Sequence, residues 1–249
     1  MQFPLPESEK DYLRKFQSIF ASPQAAEEYL YNAWLRMQPV LDWLAQLERE
    51  GVKRVLELGS NPYLLTLLIR KYFHFEMELA NFFGDPAENG RRSQFVEGGG
   101  QRLEFQYQHF NLEVDRFPYE DRSLDCVIFC EILEHLLLNP DHSLAEISRV
   151  LGPGGWLIVS TPNVARLGNA VSLLRGKNIY DGYSPHGIYG RHNREYTMQE
   201  VVDLARRHSF RVSETRLCNV YLHSWKARVL QFLRPNTWYE HIFVLAQRV

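Results

Sequence analysis

The 249-residue sequence predicts an α/β fold, in which a doubly wound, mostly parallel sheet of seven strands carries an amino-terminal helical cap. Two observations predict it. Short apolar runs alternate with segments of helical periodicity from Arg54 onward, and two further apolar runs close the chain. Because such alternation requires crossover connections, the strands should be parallel and covered by helices. Ligands of these sheets bind beyond the carboxyl ends of the strands.

The cap comprises residues 1–50, where two helical patterns occur. The first extends from residue 8 to about residue 20, and the second begins with Ser22 as N-cap and Pro23 in the first turn. Apolar residues at three- and four-residue steps give the second helix one apolar face, with a kink or break at Pro39. We interpret this face as a packing surface.

The segments after the cap predict strands and helices in alternation. The first strand RVLEL is followed by the turn GSNPY and the helix LLTLLIRKYF, and FEMELANFF is the second strand. The glycine-rich segment that follows, residues 84–102, is expected to be a loop or a hairpin. LEFQYQHF and LDCVIFC are the third and fourth strands, and the helix HSLAEISRVL ends at GPGG before the fifth strand, WLIVST.

A long insertion, residues 162–196, follows the fifth strand and contains one predicted helix. Connections of this length are more often functional than idle. Thr197 and Glu200 then form a capping box that begins the next helix. The closing strands are RVSETRLC and HIFVLAQRV, separated by a predicted helix at residues 222–233, so that residues 51–249 form one domain.

Composition and charge narrow the possible function classes. A hydrophobic content of 45% is enough for a substantial core. A net charge of -2 argues against an extended phosphate-binding surface, so we expect no nucleic-acid partner. Cys126, Cys130 and Cys218 form no even disulfide framework, which fits a reducing cytoplasm. The sequence contains neither a signal-peptide core nor the roughly 20 consecutive apolar residues of a membrane span, so we expect a cytoplasmic protein without a transmembrane segment.

Three blocks of the sequence resemble the class I S-adenosylmethionine-dependent methyltransferases in their order and spacing. The blocks are VLELGSNPYLLTLL, LEVDRFPYEDRSLDCVIFCEILEHL and EISRVLGPGGWLIVSTPN. The resemblance covers residues 54–163 and extends to the closing strands, which in that family include one antiparallel strand at the sheet edge. It implies a Rossmann-like methyltransferase fold and S-adenosyl-L-methionine as the cofactor.

The resemblance also implies where that cofactor binds. Glu57 and Gly59 occupy the positions that hold its methionine portion, Asn81 the position that binds the ribose, and Asn111 with Leu112 the position that holds adenine. The physical chemistry agrees, because a glycine lets the backbone approach a ligand and the N–H groups at a helix start favour a carboxylate.

The sequence departs from the family pattern in two places. Further glycines of the family's loop are replaced here, and we include the replacements Ser60, Asn61 and Tyr63 in the cofactor-binding set, with Tyr63 as a wall beside the cofactor. Asn81 stands where the family has an acidic residue, so it can accept a hydrogen bond but lacks the charge. Glu78 is the alternative, on the opposite face of the strand.

Candidate catalytic residues follow the fourth strand and lie in the insertion. In the family, the region of Glu131 and His135 closes over the cofactor and faces the acceptor, so Glu131 belongs to both the catalytic and the cofactor-binding sets. Burial is expected to raise the pKa of Glu131 and to leave that of His135 near neutrality, as suits a base. His186 and His192 are the other base candidates. The alternative for each histidine is a structural role.

Tyrosine, histidine and arginine alternate with glycine in the insertion, which predicts a lid over the acceptor. We therefore expect O-methylation of a small hydroxylated molecule, a sugar or a glycan.

Two alternatives stay open: a non-catalytic binding protein of the same fold, and a nucleotide-dependent oxidoreductase, although the GxGxxG turn is absent. No metal ligands are assigned, since Cys126 and Cys130 lie four residues apart on one strand, about 13 Å. The oligomeric state is not predicted.

Overall fold

The protein is described by a computed structural model that covers residues 7–16, 23–84, 89–98, 100–184, 187–220 and 236–249. Two helices come first among these residues, and strands and helices follow, with four successive strands after the third helix. Their bounds are α1 (Glu7–Arg14), α2 (Pro23–Arg49), β1 (Arg54–Leu58), α3 (Leu64–Tyr72), β2 (Glu76–Asn81), β3 (Gly90–Gly98), β4 (Gln101–His109), β5 (Leu124–Cys130), α4 (Asp141–Val150), β6 (Leu151–Pro162), α5 (Leu167–Leu174), α6 (Met198–Arg207), β7 (Phe210–Cys218) and β8 (His241–Arg248). Ser22, His186 and the helix predicted at residues 222–233 lie outside the described residues.

The strands form a single eight-stranded sheet in the order β3-β4-β2-β1-β5-β6-β8-β7. Parallel pairing joins β4, β2, β1, β5 and β6, which form the centre of the sheet. The eighth strand is β3, because the glycine-rich segment forms an antiparallel hairpin with β4. The antiparallel strand of the closing pair lies inside the sheet, not at its edge, since β8 pairs with both β6 and β7.

Helices cover both faces of this sheet. On one face, α4 and α6 pack over β5, β6 and β8 around Val127, Phe129 and Ile147. On the other face, α2 packs against the same strands, where Trp43 and Leu47 contact a cluster of strand residues. The chain is therefore a three-layer α/β fold in which the predicted cap helix contributes to the core.

Of the kink or break predicted at Pro39, the break does not occur, because α2 is continuous from Pro23 to Arg49. A proline inside a helix removes one backbone hydrogen bond. Buried residues on both sides of it, including Met37, Val40 and Trp43, fix the helix against the rest of the core and offset this loss. Among the helices in the part of the chain that the structure describes, none has the length and apolar character of a membrane span.

Candidate active site

The loop after β1 has a glycine at position 59, where the backbone is left-handed and a neighbouring side chain lies close. Gly59 has a φ of 65°, and a Cβ atom there would lie 2.8 Å from Cδ1 of Ile132. The N–H groups of Gly59 and Ser60 both donate to the carbonyl of Ala80, at 2.8 and 3.3 Å. The loop is thereby fixed across the end of β2, at the carboxyl edge of the parallel strands.

Asn81 fastens the same loop from the end of β2. Its Oδ1 accepts hydrogen bonds from Ser60 Oγ at 3.2 Å and from the Asn61 N–H at 2.9 Å, and its Nδ2 donates to the Tyr63 hydroxyl at 3.1 Å. An amide oxygen has two lone pairs, and both are used here. Asn81 lies where the sequence places it, but its side chain holds the loop.

Two adjoining cavities open at this edge of the sheet. Cavity A has a volume of about 240 Å³, cavity B has a volume of about 110 Å³, and both are lined by Gly59, Asn61 and Glu131. Cavity A is also lined by Asn81, Asn111, Leu112, Glu113, Ile132, His135, Leu136 and Tyr189. The residues that line cavity B include Arg36, Met37, Glu57, Ser60, Cys130 and Ser160. Most residues predicted to bind the cofactor are thus brought together.

Tyr63 is an exception, and the prediction that it forms a wall beside the cofactor is wrong. Its side chain is only 1% exposed and stacks on Phe105 with ring centroids 4.2 Å apart. Its hydroxyl is held by Asn81 and donates to Gln94 of the β3 hairpin. The left-handed backbone of Tyr63 (φ 66°) directs the ring into the core, and no sequence pattern shows that conformation.

Glu57 lies buried at the end of β1 and lines cavity B. Its Oε2 accepts a hydrogen bond from Thr66 Oγ1 at 2.6 Å. Burial raises the pKa of the Glu57 carboxyl to about 8, against the smaller opposing effects of that hydrogen bond and of Arg70. The side chain is therefore protonated at neutral pH.

Glu131 is held by three partners, and its predicted pKa shift has the wrong sign. The carboxylate accepts from Arg36 Nη1 at 3.0 Å and Ser160 Oγ at 2.7 Å, and pairs with His241 Nε2 at 2.9 Å. Burial alone would raise the pKa of Glu131, but His241, Arg36 and Ser160 together hold it well below its usual range. An ionised carboxylate with these partners is a poor proton acceptor.

Arg36 and His241 belong to the site although no sequence pattern indicates it. Arg36 lies on a helix whose apolar periodicity indicates only packing, and His241 opens an apolar strand far along the chain. Glu131 itself has a φ of 56°, a left-handed conformation that costs roughly 1–2 kcal/mol for a residue with a side chain. Strain of this kind persists where the surroundings fix a side chain, and it is concentrated at functional sites.

His135 borders cavity A with one ring nitrogen fixed. Its Nδ1 lies 2.9 Å from the carbonyl of Arg191, which can only accept, so Nδ1 carries the hydrogen in the neutral ring and Nε2 has the lone pair. Burial lowers the pKa of His135, so the imidazole is neutral at neutral pH. His135 therefore provides a proton acceptor at the cavity wall.

His192 of the insertion lies beside His135, with ring centroids 5.1 Å apart. Its Nδ1 is 3.1 Å from Glu195 Oε1, and this hydrogen bond raises the pKa of His192. Glu134, which was not among the predicted site residues, is buried beneath the pair and accepts from Thr161 Oγ1 at 2.9 Å. Burial, followed by the charge of Glu131, raises the pKa of Glu134 to about 8.

The insertion closes one side of the site through direct contacts. The Tyr189 hydroxyl donates to Glu113 Oε2 at 3.1 Å, and the Asn193 amide donates to the carbonyl of His135 at 2.9 Å. A third cavity, cavity C, has a volume of about 470 Å³ and lies beneath the insertion, where Tyr180, Asp181 and His192 line it. Of the base candidates, the structure thus brings together His135 and His192.

The chain is similar to known proteins of one enzyme family. The sequence profile of a family described as a methyltransferase domain matches residues 29–221. A ubiquinone biosynthesis O-methyltransferase from Maricaulis maris is 29% identical over 108 residues, which are 43% of this chain and 41% of that protein. The ubiquinone/menaquinone biosynthesis C-methyltransferase UbiE from Hahella chejuensis is 25% identical over 170 residues, 64% of this chain and 62% of that protein. The chain thus matches less than two thirds of either relative.

The fold is also found among solved structures. A SAM-dependent methyltransferase from Archaeoglobus fulgidus superposes with a TM-score of 0.51 at 15% sequence identity, covering 82% of this chain and 92% of that chain. At this identity the similarity concerns the fold alone.

Proposed function

The chain belongs to the class I S-adenosylmethionine-dependent methyltransferases, and from that premise we propose that it methylates an oxygen atom of a small hydroxylated or sugar-type acceptor. The observation that carries the proposal is a cavity at the carboxyl edge of the sheet with a neutral imidazole at its wall. S-adenosyl-L-methionine, when bound, supplies a methyl group on a positively charged sulfur.

The lining of cavities A and B fits the two ends of this cofactor. In cavity A, the apolar side chains of Leu112, Ile132 and Leu136 lie beside the polar Asn111, a combination that suits an adenine ring. In cavity B, the backbone at Gly59 and the positive charge of Arg36 can receive an amino-acid carboxylate.

The ribose is the portion for which the fit is weakest. Asn81 borders cavity A, but both lone pairs of its amide oxygen already accept hydrogen bonds from the loop. We propose that Asn81 supports binding by holding Ser60 and Asn61 in place, and that Glu57, Gly59, Asn111, Leu112 and Glu131 contact or border the cofactor.

His135 is the residue we propose to face the acceptor. Its Nε2 can accept the proton of an acceptor hydroxyl, because its Nδ1 is committed to the carbonyl of Arg191. A positioned general base of this kind contributes a rate factor of about 10² to 10⁴. Cavity C, with Tyr180, Asp181 and Arg194 on its wall, offers hydrogen-bonding groups for a hydroxylated acceptor.

The names of the two relatives differ in the atom that is methylated, oxygen in one and carbon in the other. We favour oxygen, because a hydroxyl group gives the lone pair of His135 a proton to accept. The expected acceptor is therefore a small molecule with a free hydroxyl group.

Cofactor binding is tested first, by titration calorimetry with S-adenosyl-L-methionine and S-adenosylhomocysteine. Gly59→Arg should abolish binding, since even a Cβ atom at this position would lie 2.8 Å from Ile132. Gly168→Arg is the matched control, because no atom lies within 4 Å of a Cβ built at that exposed glycine. Micromolar binding by the wild type and by the control, but not by Gly59→Arg, would support the proposed site.

Absence of cofactor binding by a folded wild type would instead favour the non-catalytic alternative. A preference for a nicotinamide dinucleotide would favour the oxidoreductase alternative. If the cofactor binds, release of S-adenosylhomocysteine in a screen of hydroxylated acceptors tests the transfer itself.

A further inference from the structure

Three side chains that the cofactor-binding geometry does not use meet at one point between cavities A and C. They are Glu134, His135 and His192, and one ligand atom from each lies within 4.8 Å of the other two. His135 Nε2 is 3.9 Å from Glu134 Oε1. The two histidines come from distant segments, so no sequence spacing reveals the group.

Each member of this group is oriented by a second hydrogen bond on its far side. The carbonyl of Arg191 holds His135 Nδ1, and the carboxylate of Glu195 holds His192 Nδ1. These contacts leave the Nε2 atom of each ring for another partner. Histidines that bind metal ions have this arrangement, in which a carbonyl or a carboxylate fixes the ring nitrogen that is not bound to the metal.

The carboxylate of the group is similarly committed at one oxygen. Glu134 is 1% exposed, and its Oε2 accepts from Thr161 Oγ1 at 2.9 Å, which leaves Oε1 on the side of His135. Glu131, the neighbouring carboxylate, is already paired with Arg36 and hydrogen-bonded to His241. A carboxylate buried this deeply is stable in its ionised form only beside a compensating charge, and a cation between Glu134 and the two imidazoles would provide it.

Backbone contacts hold the two segments in register. The N–H groups of Asn193 and Arg194 both donate to the carbonyl of Glu134, at 2.7 and 3.2 Å, and Asn193 Nδ2 donates to the carbonyl of His135. His192 is therefore fixed opposite Glu134 and His135 before any ligand binds. Preorganisation of this kind is what a binding site requires.

We propose that Glu134, His135 and His192 bind one divalent transition-metal cation. Two imidazole nitrogens and one carboxylate oxygen are a donor set that suits zinc and its neighbours in the first transition row better than magnesium. Ligand atoms around tetrahedral zinc are about 3.4 Å apart, from Zn–N bonds of about 2.0–2.1 Å. Small side-chain rotations therefore close the present group onto an ion.

The metal site also suggests how the acceptor is held during the proposed methyl transfer. This second inference rests on the proposed function. Three protein ligands leave a coordination position open, as in catalytic zinc sites. His135 lines cavity A and His192 lines cavity C, so the open position lies between the cofactor side and the insertion side. A hydroxyl oxygen of the acceptor can occupy it, in which case the ion, not the free imidazole of His135, holds that oxygen.

The test measures metal binding without cofactor or acceptor. Full-length protein is freed of metal with a chelator and titrated with Zn²⁺ by calorimetry, and with Co²⁺ by visible absorption. We expect one ion per chain, a Co²⁺ spectrum typical of low coordination number, and much weaker binding of Mg²⁺. His192→Ala should weaken Zn²⁺ binding by more than about 100-fold. Glu195→Gln removes the charge that orients His192 and that also pairs with Arg166, and it should weaken binding by about 10- to 100-fold.

His74→Ala is the matched control, because the side chain of His74 is 97% exposed and lies outside the group. It should bind Zn²⁺ as the wild type does, and circular dichroism should show that all variants are folded. The proposal is overturned if the wild type shows no saturable Zn²⁺ binding, or if His192→Ala binds as tightly as the wild type. Because S-adenosyl-L-methionine binding is measured separately, failure of the metal site and failure of the proposed methyl transfer give different results.

Discussion

The carboxyl group of Glu57 lies buried at the end of β1, and the stability of the fold therefore depends on pH. Its pKa is about 8 in the folded protein, whereas its ordinary value is 4.5. The folded state then binds one more proton than the unfolded state between these two values, so stability falls as the pH rises through that range. Each pKa unit corresponds to about 1.4 kcal/mol, so the loss is at most roughly 5 kcal/mol.

Glu57→Gln should remove this pH dependence while the amide oxygen still accepts the hydrogen bond from Thr66. We expect the variant and the wild type to unfold at similar urea concentrations at pH 5, and the variant to be more stable at pH 9. Urea unfolding at pH 5, 7 and 9 measures the difference. A constant gap between the two proteins across this range would show that Glu57 does not titrate there.

At the residue scale, the sequence predicts where a residue lies in the fold better than it predicts which side chains that residue contacts. Gly59 lies in the turn after β1 where the sequence places it, in a left-handed conformation with Ile132 close to its Cα. The contacts of Tyr63 and Glu131 were not predictable in the same way. Both have a positive φ, and the partners that determine their environments, Phe105 and His241, are brought close only by the folded sheet.

At the scale of elements, the sequence predicts features that depend on local hydrogen bonds. It does not predict features that depend on tertiary packing. The capping box at Thr197 and Glu200 begins α6 as predicted, because both of its hydrogen bonds are local. Pro39 is the opposite case, since its local preference for a break is overcome by tertiary packing of α2. The place of β8 between β6 and β7 is also a tertiary property, for which apolar periodicity carries no signal.

The insertion contacts the site through the hydroxyl group of Tyr189, and removal of that oxygen atom tests the contact. The Tyr189 hydroxyl donates to Glu113, which also accepts from the backbone N–H groups of Leu137 and Leu138. A hydrogen bond to a charged group contributes about 1.5–3 kcal/mol. Tyr189→Phe should therefore loosen this side of cavity A and weaken S-adenosyl-L-methionine binding by about tenfold in calorimetry.

Tyr183→Phe is the control for this prediction, because Tyr183 lies in the same insertion and is 94% exposed. Its affinity should equal that of the wild type. Equal affinity of Tyr189→Phe and the wild type would mean that the insertion does not cover the cofactor, and the predicted lid would then be restricted to the acceptor side.

At the scale of the whole molecule, the sequence predicts a cap at residues 1–50 and a domain at residues 51–249. The contacts of α2 bear on this division, because α2 lies within the predicted cap. Trp43 and Leu47 on this helix lie in one apolar cluster with strand residues such as Ile128 and Ile158. Trp43 Nε1 also donates to Glu214 of β7 at 2.8 Å. The amphipathic pattern predicted a packing face, but it could not show that the partner was the central sheet.

If α2 is part of the sheet's core, damage to its buried face should lower the stability of the entire fold. Leu47 is fully buried, and Leu47→Ala should lower the free energy of unfolding by about 2–5 kcal/mol. Leu174→Ala is the matched control, since Leu174 is 88% exposed and its change should stay within about 0.5 kcal/mol. Urea unfolding followed by circular dichroism and by tryptophan fluorescence should give one coincident transition, shifted only in Leu47→Ala. A separate early transition in that variant, with the main midpoint unchanged, would instead show that residues 1–50 unfold as an independent cap.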